Sequence, residues 1–221
     1  AMRYWPVIPA LMGVMDNVST GHHAHFRHSA GKNRRVIFSS KLWRPENVSD
    51  PEKKAQREAI NQERIDLVRE LRHVLGDNFV GGIREDELSR ELSPDLLLDS
   101  RQSHKAYYRR VLAGCGIGVA NAGLEDSIGF KFAEYVANGS ALLSNDISKY
   151  VLPGKFREGE HYLTYRDVPD CVYKVRQLLS NDDVRIAMGK ANERYYDEVL
   201  EPATNMKRII DCVLGDLRFK G

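Results

Sequence analysis

Asp126 and Glu134 stand eight positions apart in the stretch EDSIGFKFAEYVANGSALLSND at 125–146. Gly129 and Lys131 lie between them. Asn138 and Gly139 follow, and then a short apolar run. A carboxylate in such a place has a definite use: it accepts two hydrogen bonds from a vicinal diol, such as the hydroxyls of a ribose. The free N–H groups of a helix start, at the positive end of the helix dipole, suit a diphosphate. Ser127, Gly129 and Lys131 would form that start, with Lys131 adding a positive charge. Asp126 sits in the loop before the helix or caps it. Glu134 lies about two turns in, on a face shared with Phe130 or Lys131, and is expected to look toward the strand ends. Gly123 and Gly129 would let the backbone turn sharply and approach a ligand closely. The same spacing suits an Asp N-cap followed by a solvated Glu, so spacing alone leaves both readings open.

These residues need a frame, and the chain supplies one from Arg34 onward. RRVIFSS, NFVGGI, GIGVANAG and SALLSND are short apolar runs of strand type, and EGEHYLTYRD carries a fifth. GIGVANAG is read as a strand ending at Gly123, with the next helix beginning near Ser127. Helical stretches alternate with the strands. The longest opens at Pro51 and stops at Gly76, with Ile60, Leu67, Leu71, Val74 and Leu75 as its apolar stripe. KAYYRRVLAGC, SIGFKFAEYVAN, VPDCVYKVRQLLS, DDVRIAMGKANERYYDEVL and PATNMKRIIDCVLGDLRF follow as helices. Strands without polar alternation belong to a parallel sheet covered on both faces. The expected fold is therefore α/β, a Rossmann-like doubly wound parallel sheet with a helical C-terminal tail.

Residues 1–33, broken by Pro6, Pro9 and Gly13, read as an arm or linker. Residues 34–200 read as the domain, and 201–221 as a helix packed on it. Ligands of such sheets bind at the carboxyl ends of the strands. Those ends are small or polar here: Ser39 to Lys41, Ile83 to Glu85, Asn121 to Gly123, Ser144 to Asp146, and Thr164 to Arg166. Any strand leaving a core ends in polar residues, but together the five form a rim.

Composition narrows the classes further. A net charge of +2 over 221 residues gives no bulk attraction for nucleic acid. The three cysteines, Cys115, Cys171 and Cys212, form neither a metal nor a redox motif, which favours a reducing cytoplasm. No run approaches the ~18 apolar residues of a membrane span, and no signal peptide is present. Ala1 and Met2 read as a vector remnant before a start or a cut, a hint of a fragment of something longer. His22, His23, His25 and His28 could ligate zinc, but no carboxylate or cysteine cluster follows, and a polar loop is the plainer reading. No Asp-x-Asp, G-x-S-x-G, G-x-G-x-x-G or P-loop motif occurs. No cofactor and no metal are expected. Tyr107, Tyr108, Arg109 and Arg110 read as a half-buried helix face.

The order of parts from 107 onward resembles the carboxy-terminal half of a GT-B glycosyltransferase of the glycosyl transferases group 1 type, including its spore-maturation-like branch. The matching parts are Asp126 with Glu134; Ala137, Asn138 and Gly139; the apolar run 141–144; residues 159–165; the helix at 172–179; and residues 181–191. The resemblance extends more weakly back to 34. It implies that Glu134 holds the ribose of a nucleotide-sugar donor and that Asp126 contacts the donor sugar. Asp is one methylene shorter than the Glu more usual in the family, and a loop alignment shifted by two would put Ile128 there instead. VIFSSKLWRPEN is similar to the family's first-strand segment. Lys41 stands for its arginine, Arg44 for its lysine, and Ser40 replaces its glycine. These charges would neutralise the leaving diphosphate. Gly81, Gly82, Ile83 and Arg84 stand where backbone meets the base.

The resemblance thus assigns catalysis to Lys41, Arg44 and Asp126. Substrate binding falls to Glu134, Lys131, Gly129, Ser127, Ser40 and Arg84. It implies a metal-independent, retaining transferase of polysaccharide biosynthesis, cytoplasmic or peripheral to a membrane. The partners would be a nucleotide-sugar donor, a glycan, lipid or protein acceptor, and an amino-terminal acceptor domain that this chain has no room for. A non-catalytic binding or scaffolding domain of the same ancestry is the rival, and an epimerase or phosphorylase of GT-B type a third.

Overall fold

Short runs of β-branched and aliphatic residues become strands because most of the side chains they carry are buried. In the computed structural model, which describes residues 33–218, these are β1 (Val36–Ser40), β2 (Phe79–Ile83), β3 (Ile117–Val119), β4 (Ala141–Ser144) and β5 (Tyr162–Thr164). They pair in parallel in the order β2-β1-β3-β4-β5. The chain moves one way from β1 to β2 and the other way from β3 onward. The order therefore reverses between β1 and β3, and a doubly wound sheet keeps its ligand crevice above that point.

Alternate residues feed two cores. Val36, Phe38, Ile117, Val119, Ala141 and Leu143 face α1 (Pro51–Leu75) and α5 (Val168–Ser180). Ile37, Val80 and Leu142 face α3 (Lys105–Ala113), α4 (Phe130–Ala137) and α6 (Asp182–Tyr195). A short helix, α2 (Glu87–Leu92), follows β2. Helix α1 has the ends its sequence announces: the Asp50 carboxylate accepts from the N–H groups of Glu52 and Lys53, Pro51 opens the first turn, and Gly76 closes it at φ 52°.

Two glycines make the sheet possible. A Cβ on Gly81 (φ 147°) would lie 1.7 Å from the Phe38 carbonyl oxygen, and one on Gly118 would lie 2.4 Å from the Tyr135 ring. The turn between α4 and β4 is fastened by Asn138. Its side-chain amide donates to the carbonyls of Leu112 (3.0 Å) and Cys115 (3.3 Å) and to Ser140 Oγ (2.9 Å).

Two expectations need correction. Strand β3 stops at Val119 rather than Gly123, because the Ala122 N–H turns to the side chain of Asn145 (2.6 Å) instead of a neighbouring strand. Helix α4 starts at Phe130 rather than near Ser127. Residues 123–127 are closed into a turn by Gly123 N–H to Ser127 O (2.8 Å) and Ser127 N–H to Leu124 O (3.1 Å), with Glu125 and Asp126 both at positive φ. The terminal helix α7 (Pro202–Arg218) buries Asn205 near its start. Met206, Ile209, Ile210, Val213 and Leu214 are exposed along it. No described helix is long and apolar enough to cross a membrane. The histidine cluster at 22–28 lies outside the described residues.

Candidate active site

A shallow cleft opens at the carboxyl ends of β3 and β4, between the loops that follow them. Asn121, Ala122, Asp126, Ser127, Gly129 and Asn145 are among its lining residues. The first turn of α4 opens on the same cleft. Its N-cap, Gly129, brings no side chain to bond the helix's free N–H groups. The dipole of α4 and these donors give the cleft a positive pole without any charged side chain. At Gly129 φ is −76°, and a Cβ there would find only the Asn121 carbonyl oxygen, 4.0 Å away. The space in front of it is open. Gly123 is the tighter position: a Cβ on it would lie 2.5 Å from Ser127 Oγ.

Asp126 does not cap α4. It sits at φ 58°, its carboxylate pairs with Lys149 Nζ at 2.6 Å, and its carbonyl accepts from the Tyr150 hydroxyl at 2.8 Å. The carboxylate is exposed on the cleft's outer lip. Glu134 and Lys131 share a helix face as expected, but that face meets α3 rather than the strand ends. Glu134 Oε2 accepts from the Tyr108 hydroxyl (2.8 Å) and lies 3.1 Å from Lys131 Nζ. Lys131 was expected to be a mobile charge. Instead its ammonium lies 3.4 Å from the centre of the Tyr108 ring, and burial lowers its pKa against the opposing pull of Glu134.

The cations after β1 stand apart from this group. Lys41 Nζ lies over the Trp43 ring at 3.9 Å, and Arg44 pairs with Glu87 at 2.6 Å. Ser40 accepts at its carbonyl from the Arg84 N–H (2.7 Å), which extends the β1–β2 ladder by one bond and leaves the Arg84 side chain exposed. The fold thus gathers Asp126, Ser127 and Gly129 at one cleft and sets Glu134 with Lys131 on its α3 flank. Lys41, Arg44, Ser40 and Arg84 line the ends of β1 and β2. Among the described residues no group of three or more His, Cys, Asp or Glu side chains gathers.

The glycosyl transferase-like family profile matches residues 57–212. The chain belongs to that family. The match takes in Asp126 and Glu134 and begins after Lys41 and Arg44. Among solved structures, the chain is similar to the C-terminal domain of a glycosyl transferase group 1 family protein, LpcC, from Francisella tularensis, at 13% identity and a TM-score of 0.45, over 73% of this chain and 83% of that one. A comparison with curated proteins finds no match.

In this glycosyl transferase-like chain the strand-end loops are held by groups that sequence reading passed over. Arg64, 5% exposed in the middle of α1, donates to the Lys41 carbonyl (2.6 Å), to Asn121 Oδ1 (3.2 Å) and to the Ala122 carbonyl (3.4 Å). Burial pulls its pKa down to about 10, which leaves it charged at neutral pH. Its neighbour Glu63 accepts from the amides of Asn145 (3.0 Å) and Asn121 (3.5 Å). One turn earlier, Asn61 clamps both backbone groups of Trp43, at 2.8 and 2.7 Å. The buried Tyr165 hydroxyl donates to the Ala120 carbonyl at 3.1 Å. A signal for Arg64 exists in the sequence: it falls four residues after Ile60 and three before Leu67, on the apolar stripe itself, where a charge must find buried partners.

Proposed function

We propose that this chain is the donor-binding part of a glycosyltransferase, holding a nucleoside-diphosphate sugar and releasing the sugar to an acceptor. The observation that carries the reading is the uncapped start of α4 facing an open cleft beside the point where the strand order reverses. Family membership supports the same chemistry. The diphosphate rests on the N–H groups of the α4 start at Gly129 and Phe130, beside Ser127. Asp126 meets the donor sugar at the cleft's lip, Glu134 meets the ribose, and the base lies toward Ser40 and Arg84 at the ends of β1 and β2. As the sugar–oxygen bond breaks, negative charge grows on the departing diphosphate. Lys41 and Arg44 swing from Trp43 and Glu87 to meet it. Those exposed contacts are weak enough to yield, and charge stabilisation of this kind acts on the transition state.

The reading includes transfer without a metal, retention of anomeric configuration, and kinship with the spore-maturation-like branch. It also includes a second, acceptor-holding domain, with a glycan, lipid or protein as acceptor. Calorimetric titration of the chain with UDP-, GDP- and ADP-sugars tests it. One base is expected to bind, and Glu134→Ala is expected to weaken that binding at least ~10-fold with the fold intact. Absence of binding by all three would overturn the proposal.

The resting partners of Lys41 and Arg44 favour one alternative, a domain that binds the donor without transferring it. Binding with no release of nucleoside diphosphate, even with acceptor extracts and the flanking polypeptide supplied, would select that alternative.

A further inference from the structure

Tyr108 has no role assigned to it in ligand binding, yet its hydroxyl makes the shortest contact to Glu134. It projects from α3, while Glu134 and Lys131 project from α4. Its hydroxyl donates to Glu134 Oε2 at 2.8 Å, and Lys131 Nζ reaches the same oxygen at 3.1 Å while lying 3.4 Å from the centre of the Tyr108 ring. The three side chains close a ring of contacts in which each touches the other two. The hydroxyl and the ammonium both meet Oε2, and among the described residues no hydrogen bond to Oε1 is found. A free glutamate samples many rotamers and loses that freedom when it binds a ligand. Here the freedom is already lost, and the carboxylate plane is set before any ligand arrives. The Tyr108 hydroxyl is a dependable donor: burial first, and then the neighbouring Tyr135 and Glu134, push its pKa well above the usual phenol range.

We propose that Tyr108 and Lys131 are positioning residues that pin Oε2 of Glu134 so that Oε1 is presented to the vicinal diol of the donor ribose. The inference rests on the assignment of Glu134 to the ribose and adds to it the means by which the carboxylate is aimed. Lys131 is thereby taken out of the diphosphate's charge balance, which is left to the α4 N–H groups and the cations after β1. A clasp that merely joined α3 to α4 would look similar at rest. The two differ in what happens when the diol is removed from the ligand.

The experiment titrates the full chain with whichever of UDP, GDP and ADP binds, and with its 2′,3′-dideoxy counterpart, following thermal unfolding of each variant in parallel. Wild type is expected to prefer the diol by at least ~10-fold, and Glu134→Gln to lose most of that preference. Tyr108→Phe keeps the ring under Lys131 and removes only the hydroxyl. It is expected to shrink the preference by roughly 5-fold, the worth of one hydrogen bond, with the dideoxy ligand binding as before. Lys131→Met is expected to act in the same direction, and it serves as the test if Tyr108→Phe does not fold. If either variant weakens both ligands equally, or keeps the full preference while Glu134→Gln abolishes it, the positioning role is overturned and the ribose assignment stands. If wild type shows no diol preference, the ribose assignment itself fails, and the positioning role with it.

Discussion

Nη1 of Arg64 donates to the carbonyl oxygen of Lys41 at 2.6 Å, joining the middle of α1 to the first residue past β1. The same guanidinium reaches Asn121 and Ala122 past β3. One buried cation therefore bridges the two loops on either side of the strand-order reversal, where the proposed ligand lies. Replacing it leaves buried acceptors without donors, which is costly. Arg64→Met is expected to lower stability by about 2–4 kcal/mol in urea unfolding at pH 7. Arg64→Lys should recover only part of this, because an ammonium has no planar fork to span three acceptors. A loss below ~1 kcal/mol for the methionine variant would mean that water replaces the bridge.

Gly81 and Gly129 are predicted to behave oppositely. Alanine at Gly81 would place Cβ 1.7 Å from the Phe38 carbonyl oxygen at φ 147°. It should cost more than ~4 kcal/mol or prevent folding. Alanine at Gly129 meets open space, with only the modest loss of a favourable N-cap residue, within ~1 kcal/mol. If the diphosphate lies against that turn, the extra methyl should weaken nucleoside diphosphate binding several-fold while the melting curve hardly moves. Unchanged affinity in a folded Gly129→Ala protein would shift the phosphate away from α4.

Asn138 is fully buried and fastens α3 to the α4–β4 turn through its amide. Asn138→Ala is expected to cost about 2–3 kcal/mol, since the Leu112 and Cys115 carbonyls lose a donor inside the core. Asn138→Asp keeps the shape but turns an acceptor toward those acceptors, so it should cost at least as much. Chemical denaturation of the two variants side by side decides this, and an aspartate variant as stable as wild type would contradict the bonding pattern.

His161 carries a pH prediction. It is buried between the rings of Phe156 and Tyr195, and its Nδ1 accepts from the Arg157 N–H at 3.2 Å. Burial lowers its pKa below the ordinary value, with Glu160 pulling the other way. The unfolded chain therefore takes up a proton at this ring before the folded protein does. Its contribution is fully present above pH ~6.5 and declines as the pH falls from there toward the folded-state pKa. Unfolding free energy measured between pH 7.5 and 5 should drop in wild type and drop less in His161→Gln. Equal slopes for the two proteins would show that the ring titrates normally.

The reading of Asp126, Ser127 and Gly129 as neighbours before a helix needed only local chain, since the four residues from Asp126 to Gly129 cannot lie far apart. The orientation of Glu134 was not legible in that way. Its helix face follows from the period, but which neighbour that face meets depends on α3, twenty-six positions away at Tyr108. Arg64 and Glu63 were passed over for a related reason. The apolar stripe marks Arg64 as facing inward, but its acceptors lie on loops that only folding brings over it.

Local chemistry carried the alternation of strands and helices, the two-faced burial of the strands, and the ends of α1 at Pro51 and Gly76. Each depends on residues within a turn or two of one another, where sterics and hydrogen bonding act on any copy of that segment. The exact end of β3, the start of α4, the pinning of Glu134 and the bridge at Arg64 belong to the folded molecule alone. In each of them a side chain from a distant segment competes for a backbone group or a charge, and which competitor prevails is settled only when packing brings the segments together.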